Sequence, residues 1–214
     1  MIRSLTNKST KFGIALLVFV SSSTVYGACE NKAGLLTKPQ AEETVQCIHS
    51  IHFSLGRKQE IDEEFTHEFI KTLLPIGTTA GEKLGDLSYF DVRYGTISEI
   101  ISLLDSQELI AAYIDFVIDS SGSADENISF GIARLYTLQA PAFLENLKMR
   151  TDKEQSLVIG SLAWGLANNF YPHIESENYQ RLIVGEHWEL INSNPRSPIQ
   201  LRIESAVLDI INAY

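Results

Sequence analysis

At five places where a helical apolar pattern opens, a Ser, Thr or Asp stands three residues ahead of a Glu or Gln: Thr37/Gln40, Asp105/Glu108, Ser123/Glu126, Thr151/Glu154 and Ser197/Gln200. At a helix start the first side chain accepts the N3 amide proton and the second reaches back to the first residue's own N–H. Two backbone donors that no helical partner can reach are thereby satisfied. Pro198 follows Ser197 at the first helical position, where its missing N–H costs nothing. A chain with this many helix starts, and with no Asn-Gly or Asp-Gly hairpin signal, is committed to helices.

The apolar spacing agrees. Ala41, Val45, Ile48, His52 and Leu55 share a face, as do Ile61, Phe65, Phe69, Leu73 and Ile76, with Pro75 expected to end that helix. Leu109, Ile110, Tyr113, Phe116 and Val117 form a stripe; so do Tyr179, Leu182, Ile183, Leu190 and Ile191, and Ile203, Val207, Ile210 and Ile211. Pro141 is expected to open a short helix through Met149. Residues 157–167 are apolar on nearly every side, with Gly160, Ser161, Ala163 and Gly165 interspersed, which predicts a central helix closely surrounded by others. Residues 77–88, rich in Gly and Thr, read as the one clear loop, and Ser120 to Ser123 as a turn.

The expected fold is therefore all-α, an array or irregular bundle of about eight to nine antiparallel helices. Helix starts near 105, 123, 141, 151, 176 and 197 fall with the loose period of a helical-repeat solenoid.

The first residues read as an address. Residues 1–11 carry Arg3, Lys8 and Lys11 and no acid, residues 12–20 are an unbroken apolar run, and small and polar residues follow. This is the order of a secretory signal peptide, with Val25 and Gly27 suited to cleavage after Gly27. The apolar run is far short of the roughly 20 residues that span a bilayer. Lipidation at Cys29 is the less favoured alternative, because the bulky Tyr26 stands where a lipoprotein signal wants an aliphatic residue. The expected organisation is a leader over 1–27 and a single helical domain over 28–214, with a weak subdivision at the 77–88 loop; the destination is the periplasm or the exterior.

Cys29 and Cys47 are the only cysteines, and an even count in an exported chain predicts a disulfide. Closing a loop of this size is worth roughly 3 kcal/mol.

Acids outnumber bases 27 to 17, a formal net charge of −10. Removing residues 1–27 takes away three positive charges and no negative one, which moves it to −13. Such a chain is a poor partner for nucleic acid or an anionic membrane, both of which need basic patches.

No catalytic constellation stands out. His49 and His52 lie one helical turn apart, and His67 with Glu64 and Glu68 is the nearest supply of further ligands. A zinc site needs three or four convergent ligands, so His52 is expected as a hydrogen-bonded residue on the apolar seam instead. Gly160-Ser161 lacks the surroundings of a nucleophile elbow, and residues 77–85 lack the Gly-Lys-Ser/Thr of a phosphate loop. No catalytic, cofactor-binding or metal-binding residue is therefore assigned, and no cofactor is expected.

The leading expectation is an exported, non-enzymatic helical protein that binds another, basic protein. An inhibitor or immunity protein against a secreted toxin or cell-wall hydrolase fits this description. Contacts are expected near the 77–88 loop and the acidic stretch from Asp119 to Glu126. The alternative is a periplasmic hydrolase acting on cell-wall or carbohydrate substrate through surface carboxylates, with His67 or His187 assisting.

Overall fold

The computed structural model describes residues 29, 38–84, 93–121, 126–170 and 197–213. Among these there are seven helices and no strand: α1 Lys38–Gly56, α2 Glu63–Leu84, α3 Arg93–Leu104, α4 Gln107–Asp119, α5 Glu126–Lys148, α6 Asp152–Phe170 and α7 Pro198–Asn212. The all-α expectation holds there. The leader, the capping pairs of Thr37 and Ser123 and the stripe from Tyr179 to Ile191 lie outside the described residues. No described helix is long and apolar enough to cross a membrane.

Capping chemistry sets the boundaries. Ser197 accepts from the Gln200 amide while the Gln200 side chain takes the Ser197 N–H at 2.8 Å. Thr151 and Glu154 make the same reciprocal pair. The third described pair is displaced by one residue. Asp105 does not cap α4; it closes α3 in a left-handed conformation, φ 49°, and donates its N–H to Ser102. Ser106 is the N-cap, accepting from the Leu109 amide. Asp tolerates the left-handed region better than most residues, so one residue ends a helix and its neighbour starts the next.

Proline acts differently at its two mid-helix positions, Pro75 and Pro141. The helix expected to stop at Pro75 continues to Leu84, so residues 77–84 are helical rather than loop, and 85–88 lie outside the described residues. A proline removes one hydrogen bond and each glycine costs about 1 kcal/mol, deficits that an already nucleated helix can carry. Near Pro141 the helix bends instead: Gln139 leaves helical geometry (φ −135°, ψ 39°), and α5 runs as two helical segments across that kink. The missing N–H and the ring's clash with the preceding turn account for the kink. The Gln139 amide then bonds Ser102 on α3 at 3.2 Å.

The core centres on α5, which packs against α3, α4, α6 and α7. Twelve of its residues are buried, from Ile128 to Leu147. The expected stripe of α4 is buried as read, joined by Ile114. Around these, α1 packs on α3, α2 on α4, and α7 on α6. The expected faces of α1 and α2 are turned slightly: Thr44, Cys47, Ile51 and Ser54 are buried, while Val45, His52 and Leu55 sit half-buried at the edge. Cys29 and Cys47 stand at disulfide distance with their Cα atoms 5.4 Å apart, both buried, which ties residue 29 to the inner face of α1.

Two glycines let the central helices meet. A β-carbon on Gly131 of α5 would collide with the Tyr113 hydroxyl and stand 2.6 Å from the Tyr94 β-carbon. One on Gly165 of α6 would collide with the Ser129 carbonyl oxygen and lie 3.0 Å from the Ala133 side chain. Hydroxyls bridge the same crossings: buried Ser98 Oγ lies 2.7 Å from the Gly131 carbonyl oxygen, and Ser129 Oγ lies 2.8 Å from Ser161 Oγ. Gly160, which reads as part of the same close-packed helix, is exposed with open space where a β-carbon would go. The helix over 157–167 is thus not enclosed on all sides.

Thermal or denaturant unfolding checks this assignment. Gly131→Ala and Gly165→Ala are expected to cost about 1–3 kcal/mol each by overpacking. Gly160→Ala is expected to gain about 0.5–1 kcal/mol from helix propensity.

Candidate functional site

The polar side chains collect in three seams between helices. In the first, the Glu99 carboxylate of α3 lies between α1 and α5. His52 Nε2 is 2.8 Å from Glu99 Oε2, and the Arg134 guanidinium donates to Oε1 at 2.9 and 3.1 Å. All three are partly exposed, so screening keeps the energy of such pairs at about 0–1 kcal/mol each. Their value is register: one carboxylate fixes where two helices sit along a third.

The second seam joins α2 to α4. His67 Nε2 is 2.7 Å from Ser106 Oγ and 3.7 Å from Glu108. Lys71 Nζ donates to Glu108 at 2.7 Å and to Glu68 at 3.3 Å. The hydrogen bond from Lys71 holds the Glu108 carboxyl below its ordinary value, and hydrogen bonds to Glu108 and Glu68 raise Lys71.

The third seam runs among α4, α5, α6 and α7. Arg150, in the turn between α5 and α6, pairs with Asp115 of α4 at 2.8 Å. Asn146 donates to Gln107 at 2.8 Å. Gln155 donates to the Arg150 carbonyl at 2.9 Å and accepts from Arg202 of α7 at 2.7 Å. Arg202 also donates to Ser156. Both contacts lie in the first turns of α6 and of α7, so these two helices start at the same end.

The residues weighed for metal binding are not brought together. His52 faces Glu99, His67 faces Ser106, and His49 is exposed on α1. Among the described residues no three His, Cys, Asp or Glu side chains stand where they would share a metal ion. The Ser106–His67 contact has the separation of a nucleophile and its base. However, Ser106 Oγ is engaged as the cap of α4, and no described carboxylate reaches the other ring nitrogen of His67. Its visible work is to pin α2 to the start of α4. His187 lies outside the described residues.

Sequence reasoning missed the parts played by Glu99, Arg134, Lys71 and Ser106. The available signal was Arg134 itself, a charge inside an otherwise apolar stretch of α5, which implies a partner on the neighbouring helix.

Exposed acids lie near the start of α1, at Glu42 and Glu43, and at the entry to α2, at Glu60, Glu63 and Glu64. Asp119 and Glu126 are exposed at the α4–α5 junction, whose residues 122–125 lie outside the described residues. No family model, curated protein or solved structure matches the chain.

Besides Lys71, three groups tie stability to pH. Glu108 is held low by Lys71, and Glu154 by the Thr151 backbone and hydroxyl. For both, the unfolded chain takes up its proton first as pH falls. Their contribution is therefore present above 4.5 and fades as pH drops towards the lower folded values. Burial, helped by Glu204, raises the Tyr136 hydroxyl above 10.0, so its contribution is present below that value and is lost as pH climbs through the folded one. In a Tm-against-pH series, the deficit of Glu108→Gln should close below pH 4.5. Tyr136→Phe should hold its Tm further above pH 10.0 than the unaltered protein does.

Proposed function

We propose that this chain is an exported helical protein that binds a basic protein and restrains it, as an inhibitor or immunity protein restrains a secreted toxin or a cell-wall hydrolase. The observation that carries the reading is negative charge exposed on the helices. The chain has a formal net charge of −10, and exposed carboxylates stand on the outer turns of α1 and α2. Clustered charge of one sign speeds encounter with the opposite sign and rejects partners of its own sign.

Export rests on the three-part leader over residues 1–27. Cysteines at disulfide distance and the lack of a membrane-crossing helix among the described residues are compatible with it. The fuller architecture belongs to the same reading: eight to nine helices stacked as antiparallel hairpins, with the edge of the stack offered to the partner.

The test is cross-linking in intact cells with a C-terminal tag, followed by mass spectrometry of what is captured and of the tagged chain's own N-terminus. The reading predicts an N-terminus at Ala28 and a stoichiometric basic partner whose activity the purified protein suppresses. Raising salt from low to several times physiological strength should slow their association about tenfold or more. A partner bound at a salt-independent rate, or a chain recovered alone, would contradict it.

A further inference from the structure

The last helix has two apolar sides. Ile199, Ile203 and Val207 of α7 are buried in the core. Leu201 and Leu208 point away from them and are 51% and 40% exposed. Seven residues apart, they share one side of the helix. Ser205 between them and Asn212 beyond them are exposed and short, so the two leucines stand clear. Single exposed leucines are ordinary, but two in register on a helix whose opposite face is already used make a stripe.

The charges beside the stripe suit one occupant. Arg202 and Asp209 each follow one of the leucines, so they too are seven apart and share a flank. If two copies of α7 lie against each other end for end, Leu201 of each meets Leu208 of the other. The shared flanks then face one another, and Arg202 of each copy comes alongside Asp209 of its partner copy. Arg202 is held on this flank by Gln155 and Ser156, both neutral, and no described carboxylate neutralises it. Asp209 is exposed. We propose that the outer face of α7 docks a second copy of this chain in an antiparallel, twofold pair. A twofold interface is self-complementary by construction, and this face meets that condition in both its apolar and its charged positions.

The pair is weak. Fifteen helical residues are about 22 Å long, and one such face covers well under the roughly 800 Å² per partner of a standard interface. Dissociation is then expected on the order of 100 μM.

Sedimentation equilibrium of the purified protein tests this, run from a few μM to about 1 mM so as to bracket that affinity. The expected result is an average mass that climbs towards twice the monomer. Leu208→Ser should abolish the climb while leaving the Tm of the dilute protein unchanged. Asp209→Arg, which sets two arginines side by side, should weaken the pair about tenfold or more, in the range of a desolvated charge contact. A mass fixed at the monomer throughout would overturn the proposal. So would a Tm loss of several degrees for Leu208→Ser in the dilute protein, because the stripe would then be covered by another part of the same chain.

Discussion

The close approach of α5 to its neighbours at two glycines is the condition on which the rest of the structure rests. At Gly131 the α5 backbone comes up against Tyr94 of α3 and Tyr113 of α4, and at Gly165 the α6 backbone comes up against Ser129 and Ala133 of α5. Neither place has room for a methyl group. Because the helices touch backbone to backbone, their side chains interleave on either side. Tyr113, Tyr136, Phe143 and Ile132 can then all be fully buried around one axis. Had α5 been held off by the width of a side chain, Ser98 and Ser129 would lose their bridges, and the polar seams further out would not reach.

Those seams add alignment more than energy. Glu99 ties α1 and α5 to α3, Ser106 and Glu108 tie α2 to α4, and Gln155 ties the α5–α6 turn to α7. Each ion pair is partly exposed and contributes little by itself. Apolar packing tolerates sliding, whereas a carboxylate or amide with two partners on different helices does not. Tight crossings in the middle and directional contacts at the rim together give the seven described helices one arrangement.

Much of this was legible in the sequence, and the failures have physical causes. Capping pairs at Thr151 and Ser197 marked true helix starts because the chemistry is local. Asp105 misled by one residue because both it and Ser106 suit a cap, and only the left-handed backbone decides between them. The helix through Pro75 was hidden because propensity counts each Gly and Thr as a cost without seeing that the helix is already nucleated. Residues 157–167 looked central because they are uniformly apolar and small, yet Gly160 faces solvent. The true centre, α5, was disguised by Glu126, Arg134 and Glu145, which lie on its outer side. In the candidate site, residues on separate helices meet by packing alone, so no spacing in the sequence could announce His52 with Glu99 or His67 with Ser106.

Among the described residues the interior is committed to packing and the polar seams to alignment. That division depends on α5 being the last element to open. Native-state hydrogen exchange measures it directly. Amides from Ile132 to Tyr136 should exchange only through global unfolding, with an opening free energy equal to that of the whole molecule, while α1 and α2 open below it. Protection of α1 or α2 above that of α5 would contradict the account, because the molecule would then be organised around its acidic outer layer and not around the glycine crossings.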